Sequence, residues 1–121
     1  MYKDKNIAVF GASADEAKYG YKIFSSLARM GLPVYGINPK GGLVEGRPLF
    51  TSLDQVPVPV QVAIFVIPPK ALVPAVEQCV RANVEEMWFQ PGARSEEAYR
   101  LAVSAGIKAL NGCFMKDNGF W

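Results

Sequence analysis

The segment Asn38-Pro39-Lys40 has the position and the residue types of a phosphate-binding site. It follows the second predicted strand, where an NAD-binding fold carries an Asp or Glu that holds the ribose hydroxyls. Here an amide, an imino acid and an ammonium group stand instead. An ammonium group would attract a phosphate on that ribose, so the segment favours a phosphorylated adenosine carrier over NAD. A solvated surface lysine, the usual state of this residue type, is the alternative for Lys40.

A glycine-bearing turn after the first predicted strand could hold a diphosphate. It consists of Gly11-Ala12-Ser13, and Tyr19-Gly20 follows near the next predicted helix. The turn is longer than a GxGxxG fingerprint and has Ser13 where that motif carries its second glycine. Backbone N–H groups and the Ser13 hydroxyl at a helix N-terminus can still bind phosphate oxygens. An ordinary strand-to-helix turn explains the segment equally well.

Two further segments end predicted strands at the same rim of the sheet. Ile67-Pro68-Pro69 cannot continue a ladder, so it turns the chain outward and presents an apolar wall. Gln90-Pro91-Gly92 precedes Arg94, and the polar side chains of Gln90 and Arg94 could meet a ligand. Ser95, followed by two acids, predicts a helix N-cap. A rigid turn with proline near the start of the next helix also explains the proline pair.

Alternating apolar strands and amphipathic helices must position these segments. Strands are predicted at residues 6–10, 33–37, 60–67, 86–90 and 107–110, and helices at residues 21–30, 70–82 and 96–105. Residues 41–50 are glycine-rich and predicted to be irregular. The repeated units predict one Rossmann-like domain over residues 1–121, a doubly wound parallel sheet of about five strands with helices on both faces. We expect the order 3-2-1-4-5, with the ligand crevice between strands one and four.

Composition excludes several classes of function. The chain has 121 residues, a formal net charge of +2 and no histidine. This charge is too weak and too dispersed for a nucleic-acid surface, and no apolar stretch reaches the ~20 residues of a membrane span. The lack of histidine removes Ser-His and Cys-His catalysis and most zinc sites. We therefore expect no metal site and no catalytic residue.

The cysteines and the chain ends carry weaker signals. Cys79 and Cys113 are too few for a disulfide scaffold, and the charged first five residues lack the pattern of a secretory signal. A reduced, cytoplasmic setting fits both observations. Cys79 lies on an apolar helix face and is predicted to be core. Cys113 is either a small buried hydrophobe or a thiol near the crevice, and Phe120-Trp121 is predicted to pack on its own domain or on a partner.

In this order and spacing, the segments resemble the small, stand-alone CoA-binding proteins. Those proteins are similar to the amino-terminal CoA-binding domain of the succinyl-CoA synthetase α subunit. The resemblance covers the chain from about Asn6 to Asn118. The matching pieces are Gly11-Ala12-Ser13, Tyr19-Gly20, residues 35–40, Gly46, residues 66–69 and Gln90-Pro91-Gly92.

The resemblance implies a Rossmann-like fold that holds coenzyme A by its nucleotide half. Gly11-Ala12-Ser13 would face the diphosphate, Lys40 a ribose or terminal phosphate, and Ile67-Pro68-Pro69 would line the pantetheine path. Asn111-Gly112 stands before Cys113 where the family usually has Asp-Arg, so the role of that arginine is not carried over. The chain also lacks the second domain and the phosphorylated histidine of the synthetase, so the resemblance implies no synthetase reaction by this chain alone.

Three functions are compatible with the sequence. The first is non-catalytic binding of CoA or an acyl-CoA, the second an NADP-binding sensor or enzyme, and the third a regulatory interaction protein with a vestigial nucleotide site. Lys40 is compatible with the second function. The sequence shows neither a substrate domain nor a hydride-transfer residue that would support it. We expect the first, a binding module rather than an enzyme. The sequence leaves open whether a protein partner or a second copy of the chain completes it.

Overall fold

The structure, a computed structural model, describes residues 2–121, and Met1, the first residue of the charged start, lies outside the described residues. The strands are β1 Ile7–Phe10, β2 Val34–Ile37, β3 Leu43–Val44, β4 Arg47–Phe50, β5 Val62–Phe65, β6 Glu86–Phe89 and β7 Lys108–Asn111. The α-helices are α1 Tyr19–Arg29, α2 Leu72–Arg81, α3 Glu96–Ser104 and α4 Phe114–Asp117. None of these helices is long and apolar enough to cross a bilayer.

The strands form one sheet in the order β3-β4-β2-β1-β5-β6-β7. Every pairing from β4 to β7 is parallel, and only β3 and β4 run antiparallel. The central strands β1 and β5 are buried along their whole length, as expected for continuous apolar strands covered on both faces. The parallel α/β sheet predicted from the sequence is therefore confirmed.

The predicted strand count and order are wrong. The strand predicted third, at residues 60–67, forms β5 and pairs in parallel with β1, not with β2. The edge beyond β2 is already taken by β4, which pairs in parallel with β2 and carries β3 on its far side. The chain therefore returns to the other side of β1, and the order reverses between β2 and β5. The rule that ligands bind at the reversal of strand order therefore points to the carboxyl ends of β1 and β5, not to a crevice between strands one and four.

The β3–β4 hairpin lies within residues 41–50, which were predicted to be irregular. Its turn residues Glu45 and Gly46 have φ of 53° and 72°, the left-handed backbone that tight hairpin turns require. Arg29 at the end of α1 pairs with Glu45 at 2.8 Å and ties the turn to the helix. Glu-Gly is a weak hairpin signal, and Pro48 inside β4 argued against a strand. Pro48 is tolerated because the N–H that binds the β3 side comes from the next residue, Leu49, which donates to the Gly42 carbonyl at 2.9 Å.

Side chains that alternate along the strands feed two cores, one on each face of the sheet. Ile7 and Val9 of β1 join α1 and α4 on one face, where Phe24 and Phe114 are fully buried. Ala8 and Phe10 face the other way and join α2 and α3. Cys79 belongs to this second core and is 0% exposed, which confirms its predicted place. Helices on both faces thus cover the sheet and leave its carboxyl edge as a rim.

The start of α3 confirms a capping prediction. The Ser95 hydroxyl accepts a hydrogen bond from the Ala98 N–H at 3.2 Å, and Glu96 and Glu97 occupy the first turn. We expect Ser95→Ala to lower the free energy of unfolding by about 1 kcal/mol, because the cap bond is lost. Urea unfolding followed by circular dichroism measures this change. Ser104→Ala, at the exposed end of the same helix, is the matched control, and an equal loss in both variants would contradict the capping role.

Candidate functional site

The predicted site segments all lie at the carboxyl edge of the parallel strands. They follow β1 and begin α1 (Gly11, Ala12, Ser13, Tyr19, Gly20), follow β2 (Asn38, Pro39, Lys40), follow β5 (Ile67, Pro68, Pro69) and follow β6 (Gln90, Gly92). In a parallel sheet the carboxyl ends of neighbouring strands meet at one rim, so the four segments converge as predicted. Their roles toward a ligand remain predictions.

The Gly11 turn is packed between two neighbours. Gly11 has φ +98°, and a Cβ there would overlap the backbone carbonyl of Val66. A Cβ on Gly20, in the first turn of α1, would overlap the carbonyl of Gly11. The Gly11 N–H is already bonded to the Ile37 carbonyl at 2.9 Å. These glycines therefore bring β1, β5 and α1 into close contact, and the steric demand at Gly11 comes from Val66.

The N-terminus of α1 is open to an anion. The N-cap residue, Lys18, forms no side-chain capping hydrogen bond, and the first turn of α1 contains no acidic residue. The preceding residue, Lys18, and Lys22 in the first turn are both exposed cations. Unsatisfied N–H groups and the helix dipole favour negative charge at this end of a helix. The hydroxyl of Ser13, which is buried, accepts the N–H of Asp15 in the same loop at 3.0 Å.

Asn38 ties two rim segments together. Its Nδ2 donates to the Ala12 carbonyl at 2.8 Å, and its Oδ1 accepts the Lys40 N–H at 2.9 Å. Asn38 thereby fixes the loop after β2 against the turn after β1. Both polar atoms of the Asn38 side chain thus form hydrogen bonds within the protein. The sequence alone did not predict these bonds. Lys40 is exposed beside it and forms no ion pair within residues 2–121.

An apolar groove lies between the segments that follow β5 and β6. It has a volume of about 200 Å³ and is lined by Val66, Ile67, Pro68, Pro91, Gly92 and Ala93. Pro68 is exposed, and Pro69 begins a short 3-10 turn that leads into α2. Pro68 thus lines the groove and Pro69 begins the turn, while a role of either residue toward a ligand stays a prediction. Such a wall suits a flexible, weakly polar chain.

Gln90 is fully buried and does not line the groove surface. Its Oε1 accepts the Phe114 N–H at 2.7 Å, which joins the end of β6 to the start of α4. Its Nε2 has no hydrogen-bond partner within residues 2–121. The role of Gln90 toward a polar ligand stays a prediction. A buried amide N–H without an acceptor is uncommon in folded proteins.

Cys113 is a rim residue that the predicted site did not include. It directly precedes α4, is 7% exposed, and its Sγ lies 3.4 Å from the Tyr19 hydroxyl. Tyr19 is 94 residues away in sequence, so no local pattern could pair them. The hydrogen bond to Cys113 raises the pKa of Tyr19 to about 12, with burial adding to the effect. Either the Tyr19 hydroxyl or the Cys113 thiol can be the donor in this pair.

The surroundings of Cys113 favour its thiolate. Burial raises the pKa of the thiol, but donation from Tyr19 and from the Lys116 N–H lowers it. The Gln90 side chain and the Met115 N–H, which also face the sulfur, lower it further. The net pKa is below the ordinary value for a cysteine.

A larger concavity lies away from the rim. It has a volume of about 500 Å³ and is lined by residues 52–54 with Gln78, Arg81 and Ala82 near the end of α2. None of the predicted segments contributes to it. Another groove, of about 300 Å³, holds Arg94 with Ser95, Glu96, Tyr99 and Asn111. We assign the site to the rim, because the open helix N-terminus, the packed glycines and Lys40 come together there.

The reversed strand order of the parallel sheet and the helices on both of its faces define a Rossmann-like α/β fold. Residues 5–119 match the model of the CoA binding domain, and the chain belongs to that family. The chain is 39% identical over 108 residues to ADP-forming acetate–CoA ligase I of Archaeoglobus fulgidus, an alignment that covers 89% of this chain. It spans only 14% of that ligase's length.

Solved structures of small archaeal proteins have the same fold. A conserved hypothetical protein from Pyrococcus furiosus is 36% identical with a TM-score of 0.84, covering 93% of this chain and 98% of its own. A hypothetical protein from Pyrococcus horikoshii is 29% identical with a TM-score of 0.90, covering 96% and 82%. The resemblance to CoA-binding proteins inferred from the sequence is therefore confirmed. The chain is similar both to one part of a larger ligase and to small proteins of about its own length.

Proposed function

We propose that this protein binds coenzyme A, or an acyl-CoA, through its nucleotide half and catalyses no reaction of its own. The observation that carries the proposal is the uncapped N-terminus of α1, packed on the Gly11 turn at the reversal of strand order, in a chain of the CoA binding domain family. The diphosphate is the most strongly charged part of CoA. It binds at this helix N-terminus through backbone N–H groups, with Lys18 and Lys22 nearby.

The order of the strands suggests how the rest of the ligand lies. Along the carboxyl edge, the segments follow the order β2, β1, β5, β6. Lys40 after β2 binds the phosphate on the adenosine ribose, and the α1 N-terminus after β1 binds the diphosphate. The groove around Ile67 and Pro68 after β5 then takes the pantetheine arm. This sequence of a cation, a helix N-terminus and an apolar groove matches the chemical order of the parts of CoA.

Titration calorimetry with CoA, acetyl-CoA, NADPH and NADH tests the proposed function. We expect CoA and acetyl-CoA to bind alike, because the nucleotide half supplies the contacts. NADH should bind more weakly by about tenfold or more, since it lacks the phosphate that Lys40 attracts. Tightest binding of NADPH would identify a dinucleotide site instead. Absence of binding by all four would favour the regulatory protein with a vestigial site.

A further inference from the structure

A second groove continues the rim beyond the apolar groove that lies after β5 and β6. It has a volume of about 300 Å³ and is lined by residues at the start of α3 and by Asn111 at the end of β7. One segment of chain contributes to both grooves, since residues 91–93 line the apolar groove and Arg94 lines the second. A Cβ built on Gly92 meets nothing within 4 Å, so the space beside this residue, next to Arg94, is open.

Arg94 gives the second groove a positive charge that no acid neutralises. Its side chain is exposed and forms no ion pair among residues 2–121. The acid in the groove, Glu96, is paired with Arg100 one helical turn further along α3. The groove residue on β7 is Asn111, an exposed and neutral amide. An anionic group can therefore bind Arg94 without displacing a partner.

The side chains of the second groove suit a carboxylate. The planar guanidinium of Arg94 can donate two parallel hydrogen bonds to the two oxygens of one carboxylate. The amide of Asn111 can donate a further bond from the β7 side. The hydroxyls of Ser95 and Tyr99 are already bonded to backbone groups of the protein. Arg94 and Asn111 are therefore the donors that this groove offers to a ligand.

The proposed position of the ligand leads its acyl end toward the second groove. Along the rim, the order β2, β1, β5, β6 continues to β7. A CoA whose adenosine phosphate lies at Lys40 and whose pantetheine arm lies in the apolar groove directs the group on its sulfur past Gly92 toward Arg94. An acetyl group is uncharged and offers Arg94 no carboxylate. An acyl group made from a dicarboxylic acid carries a carboxylate at its far end.

We propose that Arg94, together with Asn111, selects an acyl-CoA whose acyl group ends in a carboxylate, which is the CoA thioester of a short dicarboxylic acid. The inference rests on the proposed function and names the ligand class of the same site. The nucleotide half of the ligand supplies the main contacts, and Arg94 discriminates among acyl groups. The step is one of binding alone, and no covalent bond forms or breaks.

Calorimetry with succinyl-CoA and butyryl-CoA tests the proposal. Their four-carbon acyl groups differ only in a terminal carboxylate or a terminal methyl group. We expect the wild-type protein to bind succinyl-CoA about three- to tenfold more tightly, the range between an exposed ion pair and a bidentate one. Arg94→Ala should remove this preference and leave the affinity for butyryl-CoA unchanged. The variant should fold, because the Arg94 side chain is exposed and forms no ion pair.

Arg81→Ala is the matched control for the acyl-group experiment. Arg81 is also exposed, but it lies at the end of α2 in the concavity away from the rim, so the preference should remain. Equal affinities of the wild type for the two thioesters, or a preference that persists in Arg94→Ala, would overturn the proposal. Calorimetry with CoA itself separates the two failures. Binding of CoA without discrimination between the thioesters refutes only this inference, whereas no binding of CoA refutes the proposed function.

Discussion

Replacing Lys40 by alanine is expected to abolish the preference of the protein for CoA over dephospho-CoA. In the proposed complex, Lys40 is the exposed cation beside the adenosine ribose, and no acid within residues 2–121 pairs with it. A hydrogen bond between charged groups contributes about 1.5–3 kcal/mol, which is roughly ten- to a hundredfold in affinity. Calorimetry should show that CoA affinity falls by this factor while dephospho-CoA affinity stays nearly constant.

Lys3→Ala is the matched control for this experiment. Lys3 is also exposed, but it precedes β1 and therefore lies at the amino edge of the sheet. It should leave both affinities unchanged. Raising the salt concentration should narrow the difference between CoA and dephospho-CoA in the wild type, because the contact is exposed to screening. Equal affinities of the wild-type protein for the two ligands would rule out the phosphate role of Lys40.

Replacing Gly11 by alanine should destabilise the fold strongly. The backbone at Gly11 has φ +98°, and an added Cβ would overlap the carbonyl of Val66 in the loop after β5. Left-handed backbone costs an alanine roughly 1–2 kcal/mol, and overpacking against a fixed neighbour typically costs about 1–3 kcal/mol more. We expect a loss of about 2–5 kcal/mol in the free energy of unfolding, measured by urea denaturation.

Gly92→Ala separates the two contributions. Gly92 has a similar φ of +88°, but an added Cβ meets nothing within 4 Å. It should therefore cost only the backbone part, about 1–2 kcal/mol. Equal losses at Gly11 and Gly92 would show that the contact with Val66 relaxes. A loss of ligand binding in Gly11→Ala is uninformative about the diphosphate unless the variant is shown to be folded.

The strands and helices were predictable because their apolar patterns are local. Val62–Phe65 is a continuous apolar run, and Ser95 with its two acids is a local helix start. The strand order was not predictable in the same way, since it depends on which edge of β2 is free. The β3–β4 hairpin pairs with this edge of β2. It was not predicted, because Glu45-Gly46 is a weak turn signal and Pro48 is unfavourable in a strand. The predicted position of the reversal in strand order is therefore wrong. The predicted segments nevertheless lie at the carboxyl edge of the sheet.

The candidate site was predictable as a set of segments but not as a set of contacts. Glycine and proline signals placed the turns at Gly11 and Ile67 from local chemistry alone. The partners of Asn38 and Gln90 were not visible, because amide side chains give no directional signal in a sequence. The pairing of Tyr19 with Cys113 joins distant parts of the chain. Only the three-dimensional structure could bring those two side chains together.

The reversal of strand order at β1 also bears on how the chain folds. β1 pairs with β2 through a short α1 connection, but with β5 across about twice the sequence separation. Each doubling of a closed loop costs about 0.6 kcal/mol in chain entropy. We therefore expect β1, α1 and β2 to assemble first and β5 to dock later. Until β5 docks, one edge of the apolar strand β1 is unpaired. We expect the folding chain to be most prone to self-association at this stage.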